Sequence, residues 1–302
     1  MSPGPCAHRV LFSLFTDRIT EKNSMKLRTR MAAAVVASAA LAGLVAPTAT
    51  AAPAGNIVTF GDSFSANPDQ WRNLVKDIPG INLDYPSKEG CLQAPDSWPH
   101  KVAAKGFSVA DWSCAGQTSR TMLGRLDRAV ATGDLHEGTR AVVLPSGMNN
   151  FAGLGALDGV NVIDPNAVRR AYLADITEAA AKVRSVAPDA KIVIPGSLAA
   201  ADPDTTMYCA VNVIPNAPMG LPVPLLRDAE RMNANNQATA AKAVGATFVD
   251  IRSGSRNHNT CAPDQSRYVA GIIDTTTPNY NMSFHPSEAG SQYMADRIAP
   301  VL

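Results

Sequence analysis

The sequence predicts an α/β fold of three layers, helix on sheet on helix, around a central parallel sheet of about five strands. Three observations predict it. Short runs such as RAVVL and KIVIP are apolar almost throughout, as strands buried on both faces require. Segments of helical periodicity stand between these runs. Strand, helix and strand in repetition imply parallel pairing with crossover helices. Apolar residues make up 46% and charged residues 18% of the chain, a balance able to fill one sizeable core.

The N-terminus reads as a leader rather than as part of that fold. Lys26, Arg28 and Arg30 precede an apolar run from Met31 to Ala46, and Pro47 leads into Ala49-Thr50-Ala51. This is the pattern of a signal peptide cleaved between Ala51 and Ala52. The run is short for a membrane span and lacks a second basic flank, so export is expected, with no stable membrane anchor. Residues 1–24 fit poorly ahead of such a signal, and a translation start at Met25 or Met31 accounts for them. Residues 1–51 are therefore assigned to the leader and 52–302 to a single domain. Removing the leader leaves 21 basic against 24 acidic side chains. That mildly acidic chain has no basic stripe and gives no reason to expect nucleic acid as a partner.

Along the remaining chain, Asn56–Phe60 reads as the first strand and ends at a Gly61-Asp62-Ser63 turn. Ser108–Trp112, Arg140–Leu144, Lys191–Pro195 and Ala246–Ile251 are the further strands. Asn166–Val186, Leu225–Val244 and Pro286–Ile298 carry helix-like spacing. The Pro-rich stretches Asn67–Pro99 and Asp202–Pro224 read as long loops that wall a site. Cys6 falls in the leader, which leaves Cys91, Cys114, Cys209 and Cys261, an even number suited to an oxidising compartment. Of the three possible pairings, neighbour pairing is preferred: Cys91 with Cys114, and Cys209 with Cys261. No Cys-x-x-Cys or Cys/His cluster supports a metal site.

Ligands of open α/β sheets bind beyond the carboxyl ends of the strands, and four such positions carry chemistry. They are Gly61-Asp62-Ser63, Ser113-Cys114-Ala115-Gly116-Gln117, Gly147-Met148-Asn149-Asn150, and Phe284-His285-Pro286 near the C-terminus. A lone Gly-Asp-Ser suits any turn, but four blocks in this order are specific. They resemble the SGNH, or GDSL, hydrolase family, named for the Ser, Gly, Asn and His of its blocks. The resemblance is collinear from Ile57 to the final helix and implies a flavodoxin-like sheet.

It also implies a secreted serine hydrolase of carboxylic esters, of the esterase or lipase type. A hydroxyl attacks an ester when a neighbouring base takes its proton, and neutral imidazole suits that task near pH 7. Ser63 is the expected nucleophile and His285 the expected base. The resemblance assigns the oxyanion to the backbone N–H groups of Ser63 and Gly116 and to the Asn149 amide. Glycine permits close approach of the backbone, and an uncharged amide stays a donor at every working pH. No cofactor and no metal are needed.

Two positions depart from the family pattern. Asn150 stands where Asp is usual, and Met282 occupies the place three residues before the histidine where an Asp normally orients the imidazole. The backbone carbonyl of Met282 is then the first candidate for that orienting role, and Asp274 the second. Trp71, Trp98, Trp112 and the segment Met219–Leu226 could line an acyl pocket, which favours lipid-like or short-chain esters as small-molecule partners of a monomer. An acyltransferase, or a binding module that has lost turnover, is the rival reading.

Overall fold

The computed structural model describes residues 55–302; the expected leader, residues 1–51, and its cleavage site lie outside the described residues. In chain order the strands are β1 (Ile57–Thr59), β2 (Ser87–Lys88), β3 (Cys91–Leu92), β4 (Val109–Asp111), β5 (Ala141–Val143), β6 (Lys191–Pro195), β7 (Met207–Asn212), β8 (Met219–Pro222), β9 (Thr247–Val249) and β10 (Ile273–Asp274). The helices are α1 (Ser63–Ala66), α2 (Gln70–Val75), α3 (Trp98–Ala103), α4 (Ser119–Ala131), α5 (Gly153–Leu157), α6 (Pro165–Val186), α7 (Pro224–Val244), α8 (Ile251–Ser255) and α9 (Glu288–Ile298).

Five strands form the expected parallel sheet, in the order β4-β1-β5-β6-β9. Ile57 of β1 stands beside both Val109 and Ala141, which sets β1 in the interior of the sheet. Successive strand residues point to opposite faces, and the core divides accordingly. Val58, Val142 and Ile194 pack with Leu126 of α4, Ile176 of α6 and Ala240 of α7. Ile57, Val143 and Val193 pack on the other face with Val102 of α3 and Met294 of α9. Covering both faces explains why these strands are apolar throughout. Deleting a fully buried side chain such as Ile176 should cost about 2–5 kcal/mol, because the cavity left behind collapses only in part.

The regular elements match the sequence expectation to within a few residues. The final helix starts at Glu288 rather than Pro286, with the Ser287 side chain capping Gly290 N–H. Helix α4 adds a further helix, opened by a reciprocal Thr118/Thr121 cap. The two long loops differ more. The first contains α2 and the β2–β3 hairpin, and the second contains β7 and β8, which join β10 in a separate three-stranded sheet. Strands of two to six residues with Pro, Gly and polar residues intermixed leave no alternation to read. Both disulfides form as expected, Cys91–Cys114 and Cys209–Cys261.

Candidate active site

Ser63 sits at the first turn beyond β1. The Asp62 side chain accepts the Phe64 N–H at 2.9 Å and caps α1, so Ser63 is the first helical residue and its hydroxyl is not used for capping. Glycine is required at Gly61, since a Cβ there would stand 2.3 Å from Ser65 Oγ. Burial pushes the Asp62 carboxyl up to about 6, against the lowering effect of the Phe64 N–H.

The second block is tied directly to this turn. Cys114 N–H donates to the Gly61 carbonyl at 2.8 Å, and the Cys91 disulfide holds the same residue from outside. Gln117 N–H closes a turn on the Cys114 carbonyl, with Gly116 at φ +82°. That left-handed angle suits the third position of a type II turn and favours glycine. The turn bond leaves the Gly116 N–H unspent.

Asn149 lies in a 3-10 turn, Met148–Phe151, just past β5. Its Nδ2 donates to the Gln117 carbonyl at 2.9 Å, which fixes the amide beside the Gly116 turn and leaves its second hydrogen for a ligand. The departure at Asn150 has a local cause. Asn150 Nδ2 donates to Ser119 Oγ at 2.6 Å, while Ser119 Oγ donates to the Asp175 carboxylate at 2.6 Å. Asn150 Oδ1 in turn accepts the Ser119 N–H. A carboxylate at position 150 could not donate and would place a second acid beside Asp175.

His285 is held differently. Its Nδ1 meets the backbone carbonyl of Ser283 at 2.8 Å. The expected acceptor, the Met282 carbonyl, is therefore replaced by one a residue later. The reason is Phe284, whose φ of +64° turns the chain so that the carbonyl two residues back faces the ring. Asp274 does not reach the imidazole either. It accepts from Gly271 N–H, Thr277 N–H, Thr277 Oγ1 and Asn212 Nδ2, and it faces the fully buried Arg267 at 3.6 Å. Burial pushes its carboxyl up, but these donors outweigh burial and hold it below the usual range. Both expected orienting groups thus serve other roles or none.

The His285 ring lies against Phe64, with centroids 5.1 Å apart. Burial pushes the imidazole down to about 4, with the Ser283 carbonyl pulling the other way, so the ring is neutral at pH 7. Nδ1 carries the proton that the carbonyl accepts, which leaves Nε2 as the basic nitrogen.

Ser63, Asn149 and His285 line one cleft of about 330 Å³, in the size range of ligand sites. Gly116 does not itself line it; its turn is tied to the cleft residue Asn149 through the Gln117 carbonyl, and Leu154 lies 3.6 Å from where its Cβ would be. The apolar walls are Phe64, Phe151, Leu198, Leu226 and Phe284. Of the expected wall, only Leu226 takes part. Trp98 and Trp112 are core residues whose indoles bond Ser65 and Asp134, and Trp71 is exposed. Glu230 also lines the cleft, which the sequence reading missed. It accepts the Ala200 and Ala201 N–H groups at 3.0 and 3.1 Å and faces Arg252, and burial pushes it up to about 7.

Known proteins resemble this chain in sequence and in fold. The model of the GDSL-like Lipase/Acylhydrolase family matches residues 59–293. A relative named Lipase 2, from Streptomyces coelicolor, is 27% identical over 91% of this chain and 97% of its own length. The crystal structure of phospholipase A1 from Streptomyces albidoflavus superposes with a TM-score of 0.55 at 20% identity, covering 82% of this chain and 98% of that one. An extracellular lipase from Streptomyces rimosus gives 0.53 at 21% identity over the same shares. These two structures share the fold. With the family model matched over most of the chain, the protein belongs to the GDSL-like lipase/acylhydrolase family and is a hydrolase acting on esters.

Proposed function

We propose that this protein is an exported serine hydrolase of carboxylic esters, working through a Ser63–His285 dyad. One observation carries the reading: Ser63, Asn149 and His285 face a single apolar cleft, with His285 neutral and pinned through Nδ1 to the Ser283 carbonyl. In this scheme His285 Nε2 takes the proton of Ser63 Oγ as the oxygen attacks the ester carbonyl. The N–H groups of Ser63 and Gly116 and the Asn149 amide hold the oxyanion. The tetrahedral adduct collapses, the alkoxide leaves with the proton from His285, and the acyl group stays on Ser63. Water then loses a proton to His285, attacks the acyl carbonyl, and frees the acid as the proton returns to Ser63.

A carbonyl carries no full negative charge, so it should stabilise the imidazolium less than a carboxylate would. Two disulfides favour an oxidising compartment, in keeping with residues 1–51 as leader and 52–302 as one monomeric hydrolase domain. Among the described residues, no helix is long and apolar enough to cross a membrane. The test is hydrolysis of p-nitrophenyl acetate, butyrate and palmitate by residues 52–302 beside Ser63→Ala. Turnover that disappears in the variant is expected; equal rates in both proteins would refute the dyad. An added acceptor alcohol in the same assay separates hydrolysis from acyl transfer.

A further inference from the structure

Large apolar side chains are exposed at several points, and each point is bonded or joined to a segment that contributes to the cleft. Helix α2 carries Trp71 and Leu74, 72% and 69% exposed. It abuts the histidine loop, because Gln70 N–H donates to the Asn281 carbonyl and Gln70 Oε1 accepts the Ser283 N–H. Ile272 is exposed beside the same loop, and its carbonyl accepts Ser283 Oγ at 2.9 Å. Leu221 and Leu225, 62% and 82% exposed, lead directly into the cleft residue Leu226. On the Asn149 side, α5 follows the cleft residues Phe151 and Ala152 and ends in Leu157, 83% exposed.

Charge is missing from three long segments that adjoin the cleft. No Asp, Glu, Lys or Arg occurs from Thr205 to Leu226, from Ala141 to Leu157, or from Thr275 to Ser287. Helix α2 does carry one charge, Arg72, whose guanidinium lies over the Tyr85 ring; Lys76, just after the helix, pairs with Asp77, and Arg227, just after Leu226, pairs with Asp228. A large exposed apolar surface marks a place of contact. Attachment to a lipid surface scales with buried apolar area plus attraction between charges, and here the first contribution dominates.

We infer that this charge-poor apolar rim is a docking surface for a zwitterionic lipid layer, set around the cleft so that acyl esters pass from the layer to Ser63. The inference deepens the proposed ester hydrolysis and rests on it for the last step only. A lipid surface, unlike a protein partner, needs no matching set of hydrogen bonds, and apart from the Trp71 indole N–H these side chains offer none.

The experiment uses the mature protein, residues 52–302, which contains the whole described fold. Its substitutions, Trp71→Ser, Leu157→Ser and Leu225→Ser combined, fall at exposed positions and threaten no core packing. Sedimentation with phosphatidylcholine vesicles should carry down the wild type, with partitioning reduced about tenfold or more in the triple variant. Hydrolysis of p-nitrophenyl palmitate dispersed in those vesicles should fall in parallel. Hydrolysis of dissolved p-nitrophenyl acetate should stay within about twofold.

A wild type that remains in the supernatant, or a triple variant that binds equally well, overturns the inference. A dimer that the triple variant dissociates, with vesicles left bare, assigns the rim to a second copy and also overturns it. Failure of both proteins on p-nitrophenyl acetate would count against ester hydrolysis alone, because vesicle partitioning is read without turnover.

Discussion

The two halves of the proposed dyad are held by different kinds of structure. Ser63 is delivered by the sheet: β1 runs between β4 and β5, and Asp62 caps the short helix that begins at Ser63. His285 is delivered by a loop whose shape depends on buried polar contacts. Arg267, fully buried, holds Asp264, Thr276, Thr277 and the Ala262 carbonyl, while Asp274 gathers the N–H groups of the turn at 271–277. Phe284 then keeps its left-handed backbone, at about 1–2 kcal/mol. Its ring is held by edge contacts to Phe64 and Tyr208, at 6.3 and 5.4 Å. The proposed nucleophile therefore depends on apolar packing and the proposed base on a polar network. Each half should fail in its own way.

The largest expected effect comes from removing the base. His285→Ala should lower kcat/KM by about 10³-fold or more, as loss of a unit of the catalytic group does, while the thermal unfolding transition stays close to wild type. Steady-state kinetics beside circular dichroism checks both parts. Arg267→Met should act on stability first. Breaking a buried ion pair by removing one partner costs about 3–5 kcal/mol, since Asp264 and Asp274 lose their cation in a dry site. Denaturant unfolding reads that loss. A variant as stable as wild type would show that the loop does not rest on this network.

The smallest effect sharpens the contrast. As the proposed base His285 needs to be neutral, and burial holds it at about 4, so the acidic limb of kcat/KM should lie well below 6.5. Because its folded value is depressed, protonation favours the unfolded chain, and stability is lost as pH falls from about 6.5 toward 4. Asp274→Asn should lower the melting temperature yet leave the acidic limb in place. A limb that moves to still lower pH in this variant would mean that the carboxylate reaches the imidazole after all.

The same division governs what the sequence discloses. The run IVTF followed by Gly-Asp-Ser predicts a strand and a turn, because burial on both faces demands unbroken apolar residues and glycine marks a tight approach. Ser283 could not be found in that way. It acts through its carbonyl, which every residue possesses, and the turn that aims it is set by a phenylalanine in a conformation that phenylalanine seldom adopts. The link between Asn150 and Ser119 joins residues 31 apart, so the choice of amide over acid makes sense only with Asp175 in view. Glu230 was hidden for a similar reason: on the sequence it is one acid in a long amphipathic helix, and only the fold turns it into the cleft. The short strands β7, β8 and β10 escaped because hydrogen bonds to each other define them, without any periodic pattern.

The most direct test of the dyad is covalent. A fluorophosphonate reacts with a serine whose proton is taken by a positioned base, and mass spectrometry of the digested protein locates the adduct. The proposed dyad predicts one adduct at neutral pH, on the peptide containing Ser63, that is lost in His285→Ala. An adduct on another serine, or labelling of Ser63 that persists undiminished without His285, would contradict it.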